Sequence, residues 1–150
     1  MGTQMIDMRI RAAGLIFIDD AFLMVEHEKE NKTYWLLPGG GINLGEDIKR
    51  ALKRELKEEI NLDCTVKDLL FVVESICSGA YHIIQPTYYI EVKNYNSLKL
   101  GVDKRVAGFG VFNADALESI IIHPDIKNEL KEYLKNKKCS KKYIYKKWID

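Results

Sequence analysis

Cysteine is scarce: Cys64, Cys77 and Cys139 are odd in number and widely spaced with no C-x-x-C pair, so neither a disulfide framework nor a zinc knuckle is suggested. A reducing cytoplasm is the compartment that fits. No stretch approaches the roughly 18 to 20 apolar residues that cross a bilayer. The one segment resembling a signal peptide, Arg9 and Arg11 followed by "AAGLIFI", is short and runs into Asp19 and Asp20 where small residues should precede a cleavage site. Neither a membrane protein nor an exported one is expected. A dominant charge is missing as well, because 23 basic and 22 acidic side chains nearly cancel and leave no global field to draw the chain to nucleic acid or to an anionic membrane. No internal repeat, low-complexity linker or serine or cysteine nucleophile arrangement is visible. His27, His82 and His123 form no ligand spacing.

At 150 residues and 47% hydrophobic, the chain suits one compact domain over residues 1–150. Its charge is uneven: nine lysines between Lys127 and Asp150 face only Glu129, Glu132 and Asp150. A helix and a solvated basic tail over about residues 125–150 account for this, and steering of phosphate-rich ligands is the alternative.

"RIRAAGLIFID" and "AFLMVEHE", split by two aspartates, predict a β-hairpin, and "EKENKT" a polar loop. "YWLLPGGGINLGED" starts as a strand and becomes a shaped loop, since its four glycines carry a large ordering entropy in a regular element. Apolar residues at 48, 52, 56 and 60, with Ala51, predict a helix over Ile48–Ile60, and Asn61 suits the left-handed backbone that ends many helices. "LDCTV", "DLLFVVESIC", "YHIIQPTYYIEV" and "RVAGFGVF" predict further strands, with Pro86 at an edge or bulge. Asn113 and Asp125 open two closing helices. The fold class is α+β, a sandwich of helices and sheet.

On a helix advancing about 100° per residue, Glu55, Glu58 and Glu59 share one arc beside the apolar stripe, while Lys49, Lys53 and Lys57 look outward. Carboxylates packed this closely repel by a few tenths of a kcal/mol per pair. A hard divalent cation, Mg²⁺ or Mn²⁺, would compensate them with oxygen ligation; pairing with Arg54 and neighbouring lysines is the plainer alternative.

The spacing Gly40, five residues, Glu46, seven residues, then Arg54-Glu55-Leu56-x-Glu58-Glu59-x-Asn61-Leu62 resembles the Nudix box, G-x5-E-x7-R-E-U-x-E-E-x-G-U. Eight of its nine fixed positions match over 23 residues, and Asn61 replaces the last glycine. The resemblance implies a Nudix-type α/β/α sandwich with a mixed central sheet. It also implies Mg²⁺-dependent (or Mn²⁺-dependent) hydrolysis of a nucleoside diphosphate linked to another group X. In such enzymes Glu58 and Glu59 would be metal ligands, and Glu55 a ligand or the general base oriented by Arg54. Glu46 would be an outer ligand or loop support, and a carbonyl of Gly39 or Gly40 a further contact. Family members often add an acidic ligand from a late loop, for which Asp103 is the candidate ahead of Glu118 and Glu91.

Arg9 and Arg11 share a face of the first strand and could contact phosphate, and Tyr81 lies close to a tyrosine that marks some dinucleoside polyphosphate enzymes. The proline that marks ADP-ribose enzymes is replaced by Cys77. Tyr34 and Trp35 pack the loop or stack a base. Expected partners are a small nucleotide substrate and no membrane, the chain being a monomer or homodimer. A non-catalytic nucleotide-binding domain and an RNA 5′-end pyrophosphohydrolase are the competing functions.

Overall fold

The computed structural model describes residues 7–77 and 81–147. Strands β1 (Asp7–Leu15), β2 (Phe17–Ile18), β3 (Ala21–Lys29), β4 (Lys32–Leu36) and β5 (Gly39–Gly41) lead into helix α1 (Ile48–Ile60). There follow β6 (Thr65–Cys77), β7 (Tyr81–Glu91), β8 (Val106–Phe112), α2 (Ala114–Leu117), α3 (Lys127–Asn136) and β9 (Tyr143–Lys147). A mixed five-stranded sheet has the order β5-β1-β7-β6-β9, parallel at β1–β7 and β6–β9. A smaller antiparallel sheet joins β2, β3 and β4, with β8 on the other edge of β3. The α+β sandwich with a mixed sheet is therefore what the chain adopts.

The two halves of the core meet on β1. Successive strand residues point to opposite faces, so Ala12 packs with Leu52, Leu56 and Ile60 of α1 while Ala13 packs with Phe71, Val73, Leu130 and Ile144. The predicted helix has the predicted bounds. Asp47 caps it by accepting from the Arg50 N–H, and Asn61 ends it at φ 54°, ψ 36°, with the Leu62 N–H reaching back to the Leu56 carbonyl.

Four local expectations change. The first hairpin is divided, because β1 leaves for the large sheet and only Phe17–Ile18 pairs back onto β3; the alternating Ala12 and Ala13 serve two cores, which a plain hairpin cannot do. The "EKENKT" loop shrinks to a tight turn at Glu30 and Asn31, both at positive φ, as a two-residue hairpin turn requires. The glycine run is not all loop: Gly39–Gly41 pairs antiparallel with β1, and a Cβ on Gly39 would lie 1.9 Å from the Ala12 carbonyl oxygen, so the pairing depends on the missing side chain. Pro86 lies in β7, between β1 and β6 rather than at an edge. The β1–β7 ladder has no pair between Ile10↔Ile84 and Ala13↔Thr87, its register unchanged, which suits a residue with no N–H to donate.

The C-terminal end also departs from expectation. Ile126, not Asp125, occupies the cap position of α3. The basic tail is in part a strand, since Tyr143–Lys147 lines up beside β6 with Ile144 buried and Lys146 paired to Glu129 at 2.9 Å. Among the described residues no helix is long and apolar enough to cross a membrane.

Candidate active site

Helix α1 lies against β5, and its carboxylates meet the glycine corner. Arg54 organises them. Its Nε and Nη2 donate to the two oxygens of Glu46, each at 2.9 Å, and Nη2 also reaches the Gly41 carbonyl at 3.0 Å. Its Nη1 donates to Glu55 Oε1 at 2.9 Å and, more loosely, to Glu58 Oε2 at 3.3 Å. This bidentate grip holds the Glu46 carboxyl down at about 2, chiefly through the Arg54 hydrogen bonds. Glu46 also accepts from the Asn43 N–H at 3.1 Å, so its carboxylate joins the loop to Arg54.

Glu55 and Glu59 are 5% and 2% exposed, burial that charged groups tolerate only with partners. Glu59 Oε1 accepts from the Gly39 N–H at 2.6 Å. Burial nevertheless pushes its carboxyl up to about 8, against the pull of Arg11 and that N–H. Burial also raises Glu55, with Arg54 opposing it. Glu55 Oε2 is enclosed without a hydrogen-bond partner. Its carboxyl group fills the space where a side chain on residue 40 would stand, since a Cβ on Gly40 would lie 2.4 Å from it.

Arg11 turns inward. It donates to the carbonyls of Leu37 (2.8 Å) and Gly39 (3.3 Å) and to Gln85 Oε1 (3.1 Å), tying the Pro38 corner to β7. Arg9, two residues earlier, lies at the exposed start of β1, 3.8 Å from Asp7. Tyr81 begins β7, and its side chain lies outside the described residues. Asp103 does reach the helix: its backbone N–H donates to the Glu58 carbonyl. Its carboxylate, however, grips Arg105, with Nε and Nη2 at 3.0 and 2.8 Å, and that pairing lowers its pKa. Tyr34 contacts the His27 and His123 rings at 5.6 and 5.0 Å, and Trp35 packs on Phe112.

Sequence reasoning missed Gln85, Arg105 and the strap of residues 97–103. In the strap the N–H groups of Lys99, Gly101 and Asp103 donate to the carbonyls of Ile60, Glu59 and Glu58. The one available signal was Gln85, a buried polar residue in an apolar strand.

The residues fit a hard divalent cation by their chemistry: three glutamates, glycine carbonyls and one buried carboxylate oxygen left without a partner. Among the described residues no three His, Cys, Asp or Glu side chains close on one point. Arg54 holds Glu55 Oε1 and Glu58 Oε2, and Gly39 holds Glu59 Oε1, so the donors are present but engaged.

The NUDIX domain family matches residues 8–133 of the chain. The ADP-ribose pyrophosphatase of Methanocaldococcus jannaschii is 31% identical over 124 residues, covering 81% of this chain and 70% of that protein. The human 8-oxo-dGDP phosphatase is 43% identical over 56 residues, 37% of this chain, and the match spans only 17% of that longer protein. A solved NUDIX hydrolase from Nitrosomonas europaea superposes with a TM-score of 0.75 over 95% of this chain and 80% of that one, at 14% identity, a likeness of fold. On the box residues, the sandwich and these matches together, the chain belongs to the NUDIX family of hydrolases.

Proposed function

We propose that the chain hydrolyses the diphosphate linkage of a nucleoside diphosphate joined to another group, with Mg²⁺ as cofactor and Mn²⁺ able to replace it. One observation carries the reading: the buried, unpartnered Oε2 of Glu55, in a carboxylate fitted against Gly40. A structural helix has no use for such an atom, whereas a base or a cation ligand needs one.

Glu58 and Glu59, with a carbonyl of Gly39 or Gly40, would hold the metal, Asp103 is the further acidic candidate, and Glu55 would join them only where it is not the base. A divalent cation bound there supplies charge neutralisation to the diphosphate oxygens and lowers the pKa of the attacking water. Glu55 accepts the proton of that water. Its elevated affinity for protons suits the task, because a base is most effective when its pKa lies near the working pH. Arg54 keeps Glu55 oriented and restores part of its acidity. Arg11 braces the Pro38–Gly39 corner rather than reaching outward, while Arg9 and Tyr81 remain the candidates for contact with the substrate's distal parts. The three cysteines are free, which supports residence in a reducing cytoplasm.

The test is phosphate release from a panel of nucleoside triphosphates, ADP-ribose, nucleotide sugars and dinucleoside polyphosphates, with and without Mg²⁺. Glu58→Gln and Glu59→Gln should each lose at least about 10²-fold in turnover while keeping the fold by circular dichroism. Full activity in both variants would remove the metal-site reading. Cleavage of nothing on the panel favours a nucleotide-binding domain instead.

A further inference from the structure

A cavity of about 430 Å³ lies between the β3–β4 hairpin and residues 104–107. Lys29, Lys104 and Arg105 line it, with Glu28 as the one acid among the described lining residues, and His27 and Tyr34 form an aromatic wall. His27 Nε2 is buried there with no hydrogen-bond partner. Arg105 joins this cavity to the catalytic cluster: its charge is felt by Glu55 and Glu59, and its fork to Asp103 uses Nε and Nη2, so Nη1 is not part of that grip.

We propose that this cavity is a subsite for an anionic part of group X, so that the enzyme takes nucleotides carrying three or more phosphates in preference to those in which X ends in a neutral sugar. The inference rests on the diphosphate-hydrolase reading above. Three cations against Glu28 and the Asp103 that grips Arg105 leave a net positive charge that attracts phosphate. Lys104 presents a point charge to phosphate oxygens, and Arg105, whose Nε and Nη2 are held by Asp103, its remaining Nη1. The volume exceeds what one phosphate needs and falls in the range of small-molecule pockets, about 300–1,000 Å³, leaving room for the moiety beyond it against Tyr34. A neutral sugar would leave that net positive charge unanswered.

The experiment compares kcat/KM for diadenosine tetraphosphate and for ADP-ribose, with Mg²⁺ at low ionic strength, in the full chain and in Lys104→Ala. The wild-type chain should favour the tetraphosphate, and Lys104→Ala should lower the tetraphosphate to ADP-ribose ratio about tenfold, an effect that shrinks in high salt. A wild-type preference for ADP-ribose, or a ratio untouched by the substitution, overturns the proposal. A second arm needs no turnover: calorimetric titration of the metal-free chain with inorganic tripolyphosphate. Binding that weakens several-fold in Lys104→Ala supports the subsite, and absence of binding overturns it. If neither nucleotide is cleaved, the tripolyphosphate arm alone decides the subsite, while the wider substrate panel decides the hydrolase reading.

Discussion

The backbone N–H of Asp103 donates to the carbonyl of Glu58 at 3.0 Å, so a residue 45 positions downstream completes the last turn of the glutamate-bearing helix α1. Helix ends leave about four carbonyls without partners. Here the strap supplies three of the missing donors, from Lys99, Gly101 and Asp103, and fixes the turn that bears Glu58 and Glu59.

Gly101 is the point where this strap is most exposed to substitution. A Cβ there would lie 2.2 Å from the Glu58 carbonyl oxygen. Gly101→Ala should therefore lift the strap, cost about 1–3 kcal/mol in urea unfolding and reduce turnover through the displaced glutamates. Wild-type stability and activity in the variant would mean that the strap does not position the helix end.

Gly40 tests the base more directly. Because Glu55 occupies the place of the absent side chain, Gly40→Ala should keep the fold and lower kcat far more than it raises KM. A loss confined to KM would assign Gly40 to substrate binding instead.

Arg54 contacts Glu46 through two nitrogens and Glu55 through the third. A lysine keeps the charge and loses the fork. Arg54→Lys should lower turnover by about 10- to 100-fold, with the pH–rate profile moving alkaline as Glu55 loses part of its opposing partner. An unmoved profile would show that Arg54 does not tune Glu55.

The Glu46–Arg54 pair sets an acid limit. Glu46 has its pKa depressed in the folded state, from 4.5 to about 2. Its contribution to stability is therefore present above pH 4.5 and is lost as pH falls toward 2. Glu46→Gln should flatten the dependence of stability on pH in that window, measured by urea midpoints. An identical acid limb in both proteins would show that the pair is not coupled to folding.

The lysine-rich end can be tested as structure. Ile144 is 4% exposed within the core cluster of Leu130 and Val73. Ile144→Ala should cost about 2–5 kcal/mol, whereas a solvated tail would make the change neutral. Truncation after Asn136 removes β9 and should destabilise the chain, so its effect on any RNA substrate cannot be read without a stability measurement.

Much of helix α1 was legible in the sequence. The period of apolar residues from Ile48 to Ile60, the Asn61 cap and the joint face of Glu55, Glu58 and Glu59 follow from local geometry, because a helix settles its contacts within four residues. So does the spacing that marks the family. Contacts across long separations were not legible. That Arg11 braces the glycine corner through Gln85, that Asp103 meets Glu58 and Arg105 together, and that Tyr143–Lys147 pairs as a strand with β6 depend on which segments the sheets bring side by side. The chain by itself determined the chemistry available, three carboxylates and an arginine on one helix. Only the tertiary structure decided which of them is buried, which oxygen is left unanswered and which cations face it, because desolvation and charge pairing are set by neighbours that the linear order does not specify.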